Sequence, residues 1–145
     1  MLRRDLERFR IALRIELPAR PMRVAADRIQ IEQVLVNLIQ NAMESIQQAD
    51  GPERLIALSA RAGAGMATIS VRDTGIGISE TAAERMFEAF FTTKAQGLGI
   101  GLALSRSILE AHGGRIWMEN PSDGGRGAVV SFAIPLTTPQ PRRKS

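Results

Sequence analysis

Three glycines stand at alternate positions in "TTKAQGLGIGLALSRS", residues 92–107, just before a helical pattern. Gly97, Gly99 and Gly101 have no side chain to pack, and glycine inside an element costs conformational entropy. Backbone N–H groups left open at the positive end of a helix can cradle phosphate. Two familiar phosphate loops do not fit. A P-loop needs Gly-Lys-Ser/Thr, whereas Gly101 is followed by Leu102 and Ala103. A dinucleotide fingerprint needs a strand directly before it, and here "FEAFFTTKAQ" precedes. On these residues alone, a flexible loop capping a helix is the alternative.

Asn37 and Asn41 lie one turn apart on the longest helical pattern, hence on one face. Asparagine is a poor helix former. Its neutral amide oxygen suits one task well: completing the oxygen shell of a Mg²⁺ ion that already holds phosphate oxygens and waters. The alternative is a solvated polar stripe, since Gln33, Gln40, Glu44 and Gln48 are near. Asp73 ends the run "MATISVRD", in which Ala67, Ile69 and Val71 alternate toward a core, and it opens "DTGIG". A carboxylate in an apolar slot can accept a hydrogen bond from adenine's exocyclic amine, where guanine presents a carbonyl. An ordinary Asp-Gly turn is the competing explanation.

The elements that must hold these groups are legible from periodicity. Asp27 is an N-cap candidate for a helix through "RIQIEQVLVNLIQNAMESIQQ", with Val34, Leu35, Leu38, Ile39, Ala42, Met43 and Ile46 as its apolar stripe. "IALRIEL", residues 11–17, alternates as a strand. Residues 55–62 and 66–72 form a hairpin pattern around "GAG". A short helix is expected near 80–87, and another from about Leu102 to a C-cap at Gly113-Gly114. Residues 115–119 and 128–134 give a last strand pair. The sum is an α/β two-layer sandwich: a mixed, mostly antiparallel sheet covered on one face by about three helices.

Composition excludes several classes. At 145 residues the chain suits one domain with a real core, and 44% hydrophobic content describes a globular chain. No apolar run approaches the roughly 20 residues of a membrane helix, and no signal-peptide pattern opens the chain. With no cysteine, disulfides, thiolate metal sites and a cysteine nucleophile are excluded. The net charge of +4 comes from scattered arginines, with Lys94 and Lys144 the only lysines and Trp117 the only indole. A basic stripe interleaved with aromatics is missing, so no nucleic-acid partner is expected.

The order of the motifs carries more than each motif. "RIQIEQVLVNLIQNAMESI" resembles the N box of sensor histidine kinases, "DTGIGI" the G1 box, "MFEAFFTTK" the F box and "GLGIGLALSRSILEAHGG" the G2 box. The chain from about 11 to 135 is thus similar to the catalytic domain of two-component kinases of the FixL, NtrB and DctB type. The resemblance implies the Bergerat (GHKL) ATP-binding fold, shared with gyrase B, MutL and the large heat-shock chaperones. It implies residues 1–10 as the end of a connecting helix, 11–136 as the catalytic domain and 137–145 as a disordered basic tail.

By the same resemblance, Asn41 is the Mg²⁺ ligand and Asn37 faces the same metal and phosphates. Asp73 reads adenine, Gly75 and Gly77 form the turn beneath the base, and Ile76 and Ile78 wall it. Gly97, Gly99 and Gly101 form the phosphate loop before Leu102, with Leu98 and Ile100 in a mobile ATP lid and Lys94 a lid cation within reach of phosphate. Ala128 stands where gyrase-like members carry an adenine-binding threonine. His112, the sole histidine, takes a structural role at a helix end.

The function implied is a protein histidine kinase domain that binds ATP and Mg²⁺ and donates the γ-phosphoryl group to a histidine on a separate dimerisation domain. A response regulator is then an indirect partner. The isolated domain is expected to be cytoplasmic, monomeric and without direct membrane contact. The alternatives are a gyrase- or MutL-like hydrolytic ATPase and a non-catalytic interaction module that retains the fold. Hydrolytic relatives need a glutamate base one turn before the metal asparagine, where this chain has Asn37. An amide cannot serve as that base.

Overall fold

The structure is a computed structural model and describes residues 2–49, 51–77, 79, 83, 85–88 and 101–137. Its elements are α1 (Leu2–Arg8), β1 (Ala12–Glu16), α2 (Arg28–Gln48), β2 (Leu55–Gly63), β3 (Met66–Asp73), α3 (Gly101–Ala111), β4 (Arg115–Glu119) and β5 (Val129–Pro135). The expected short helix near 80–87 and the lid lie largely or wholly outside the described residues.

Local chemistry sets the helix ends. Asp27 Oδ1 accepts the Gln30 amide at 3.0 Å and so satisfies one of the N–H groups that a helix start leaves open. From there α2 runs 21 residues, roughly 30 Å, and buries Val34, Leu38, Ala42, Met43 and Ile46. At the end of α3, Gly113 takes φ +73° and the Gly114 amide reaches back to the Leu109 carbonyl at 2.8 Å, closing the last turn.

The strands form one sheet in the order β1-β2-β3-β5-β4, with β1 parallel to β2 and the other pairs antiparallel. The mixed, mostly antiparallel expectation holds. Phe132 of β5 pairs with Ile69 on one side and Ile116 on the other, and is fully buried at the centre of the core. α2 and α3 pack on this apolar face. Alternate residues of the same strands, among them Arg14, Ser59, Ser70 and Arg72, line an open groove on the opposite face.

Two features go beyond the periodicity. Leu2, Leu6 and Phe9, on and just after α1, pack against this domain's own core. The β2–β3 turn places Ala64 at φ 54° and Gly65 at φ 75°, a two-residue connection whose twist suits a hairpin. No described helix is long and apolar enough to cross a membrane.

Candidate nucleotide site

Asn37, Asn41 and Ser45 follow one another at four-residue steps on α2 and so form one stripe along it. At one end Asn37 Nδ2 donates to the Gly101 carbonyl and to Ser105 Oγ, both at 3.2 Å, while its Oδ1 accepts from Gln33 Nε2 at 2.9 Å. The amide thereby fastens the start of α3 to α2. Asn41, in the middle, is 9% exposed and faces inward. At the far end Ser45 Oγ accepts the Ile76 amide at 3.2 Å and donates to Asp73 Oδ1 at 3.4 Å.

Asp73 closes β3 and is 2% exposed. Its Oδ1 also accepts the Gly75 amide at 2.8 Å, and its own amide donates to the Ala128 carbonyl at 3.1 Å. A buried carboxylate needs such partners, because desolvation without them costs several kcal/mol. Two glycines make the arrangement sterically feasible. A Cβ on Gly75 would overlap the Ser45 hydroxyl, and one on Gly127, at φ +89°, would overlap the Asp73 carbonyl oxygen. Beside this turn opens a cleft of about 400 Å³ lined by Gly75, Ile76, Gly77, Asn120, Arg126 and Gly127 among others. Asp73 and Asn41 do not line it, so it flanks the carboxylate rather than containing it.

Gly101 behaves differently from Gly75. Among the described residues, a Cβ there would meet only Asn37 Cγ, at 3.9 Å, an ordinary contact. Packing among the described residues does not demand glycine at the start of α3, and an open backbone at a helix N-terminus fits an approaching phosphate.

The structure thus brings Asn37, Asn41, Asp73, Gly75 and Gly101 together around α2. Ile76 is 52% exposed and lines the flanking cleft with Gly77. Leu102, on α3, is buried in the core. Ile78, Lys94, Gly97, Leu98, Gly99 and Ile100 lie outside the described residues. Ala128 is buried, offers no hydroxyl, and contributes its carbonyl to Asp73. His112 has both ring nitrogens engaged: Nε2 accepts the Asp27 amide at 3.1 Å, which leaves Nδ1 to donate to the Ile108 carbonyl at 2.7 Å.

Periodicity alone missed Ser45 and Gly127. Ser45 had a usable signal, its four-residue step from Asn41. Gly127, in the turn "SDGGRG", had none that separates it from Gly124 and Gly125.

Comparison with known proteins agrees with this geometry. Residues 26–138 match the family described as histidine kinase-, DNA gyrase B-, and HSP90-like ATPase. The chain is 44% identical over 125 residues to the sensor protein FixL of Bradyrhizobium diazoefficiens, covering 86% of this chain and 24% of FixL. It therefore spans about a quarter of that relative's length. The catalytic domain of histidine kinase ThkA superposes with a TM-score of 0.78 at 38% identity, over 92% of this chain and 84% of that domain. ThkA has also been solved with the response regulator protein TrrA. Full-length ShkA in complex with AMPPNP matches at TM-score 0.76 and 28% identity, over 95% of this chain and 30% of ShkA. The chain belongs to the histidine kinase-, DNA gyrase B- and HSP90-like ATPase family, as an ATP-binding catalytic domain of the sensor histidine kinase type.

Proposed function

We propose that this chain binds MgATP and presents its γ-phosphoryl group to a histidine on a separate dimerisation domain of the same parent protein. The carrying observation is the buried Asp73 carboxylate, held between the Ser45 hydroxyl and the Gly75 amide at one end of the Asn37–Asn41 stripe. Asp73 accepts a hydrogen bond from the adenine amine, the glycine turn of Gly75 and Gly77 supports the base, and the motif assigns Ile76 and Ile78 to wall it. Asn41, with Asn37, supplies amide oxygen toward Mg²⁺. Gly101 leaves backbone N–H groups open to phosphate, and the motif assigns Gly97, Gly99 and Lys94 to the same phosphates.

Magnesium, when bound, neutralises phosphate charge; the chain's residues contribute positioning, the larger part of phosphoryl-transfer catalysis. In the transfer, the bond from the γ-phosphorus to the bridging oxygen breaks and a bond to an imidazole nitrogen forms, leaving ADP. Asn37 weighs against hydrolysis, because its amide is no base and cannot take a proton from water. The response regulator, which takes the group from the acceptor histidine, is an indirect partner, and the domain works in the cytoplasm.

The test uses labelled ATP, this chain and a separately made dimerisation hairpin of the parent. Label is expected on the hairpin. Stable label on His112 of this chain alone would overturn the reading.

A further inference from the structure

We propose that Ser45 is a positioning residue for base recognition: its hydroxyl fixes the Asp73 carboxylate and the Ile76 amide relative to α2, and thereby sets the preference for adenine. This rests on the assignment of Asp73 as the base reader.

A hydroxyl has one proton to give and two lone pairs to receive with. Ser45 Oγ uses both capacities, receiving the Ile76 N–H at 3.2 Å and giving its proton to Asp73 Oδ1 at 3.4 Å. The Gly75 amide holds the same Oδ1 at 2.8 Å. That second bond comes from the carboxylate's own turn, two residues on, and moves with it. Among the described residues, Ser45 refers the carboxylate to another element, the helix α2. The helix carrying it also carries Asn41, one turn and about 6 Å earlier. Base end and metal end of the site are therefore gauged from one rigid helix.

Packing shows that this contact is built in. A Cβ at Gly75 would overlap Ser45 Oγ and its backbone, so the turn can approach α2 only because residue 75 has no side chain. A carboxylate held in one place discriminates by rejection as much as by attraction. Guanine would set a carbonyl against it, and the misfit costs most where neither group can move. A carboxylate freed to swing relaxes that penalty. Ser45 thus acts on selectivity between purines as well as on affinity.

The experiment measures ATP and GTP affinities by calorimetry for the unaltered chain, Ser45→Ala and Asp73→Ala, with thermal melts alongside. Ser45→Ala should weaken ATP binding about threefold to tenfold, lower the ATP:GTP ratio, and speed hydrogen exchange at the Ile76 amide. A folded Ser45→Ala that keeps the parent ratio, while Asp73→Ala loses it, overturns the role of Ser45 alone. A parent with no preference for ATP overturns the assignment of Asp73 and the role of Ser45 together. Should Ser45→Ala not fold, Ser45→Cys keeps the volume with a weaker hydrogen-bonding group, and an unchanged ratio in it overturns the proposal equally.

Discussion

Gly127 lies directly against Asp73: a Cβ built on Gly127 would come within 2.8 Å of the Asp73 carboxylate Oδ1 and overlap its carbonyl oxygen. The 120–127 loop is thereby seated on the residue that closes β3. Gly127 also sits at φ +89°, where side chains are strained even with space to spare.

Gly127→Ala should therefore destabilise the domain by roughly 1–3 kcal/mol, with nucleotide affinity falling as Asp73 shifts. A thermal melt reads the first effect and calorimetry the second. An unchanged melting temperature would mean that the loop accommodates the methyl group by moving off Asp73.

Gly101→Ala makes the opposite pairing. Among the described residues the methyl group meets only an ordinary contact with Asn37, and alanine is the better helix former, so stability should hold or rise by up to about 1 kcal/mol. ATP affinity should nevertheless fall, because on the proposed reading the methyl group would stand where phosphate approaches the backbone. Equal ATP affinity in the two proteins would remove Gly101 from the phosphate site.

On the proposed role of Asn41 as a metal ligand, Asn41→Ala should weaken ATP binding when Mg²⁺ is present and have little effect in a chelator. Binding titrations with and without Mg²⁺ make the comparison. Loss of affinity to the same degree in both would mark the buried Asn41 as a packing residue.

The Arg72–Asp123 fork gives a pH signature. Arg72 Nη1 and Nη2 donate to the two Asp123 carboxylate oxygens at 2.8 and 2.9 Å. This pair, helped by the Gly125 amide, holds the Asp123 carboxyl below the ordinary carboxylate range and raises the Arg72 guanidinium further. Because the folded value lies below the unfolded one, the contribution is complete above the ordinary aspartate range. It disappears as pH falls through the lowered folded value. Both groups are exposed enough for water to screen the pair, so the effect is small. Asp123→Asn should be less stable than the parent at neutral pH, and the two should converge as pH drops below about 3.9. Parallel stability curves across that window would show that the fork contributes nothing.

Local signals in the sequence determined most of the elements. The Asp27 cap, the apolar stripe of α2, the hairpin around Ala64-Gly65, the Gly113 cap and the 115–119 strand all depend on residues a few positions apart, which periodicity and turn chemistry report directly. The motif order likewise points to Asn37, Asn41 and Asp73 as parts of one site. Tertiary structure alone decided what these residues touch. Asn37 bonds to Gly101 across 64 positions, Ser45 to Asp73 across 28, and His112 to the Asp27 amide across 85. The apolar residues of α1 found their cover in this core, and Leu13 and Ile15 stay exposed because β1 is an edge strand beyond the reach of α2 and α3. Periodicity says which face of an element is apolar. Only the packing of sheet against helix says which two faces meet, and the hydrogen bonds that tune Asp73 form across that meeting.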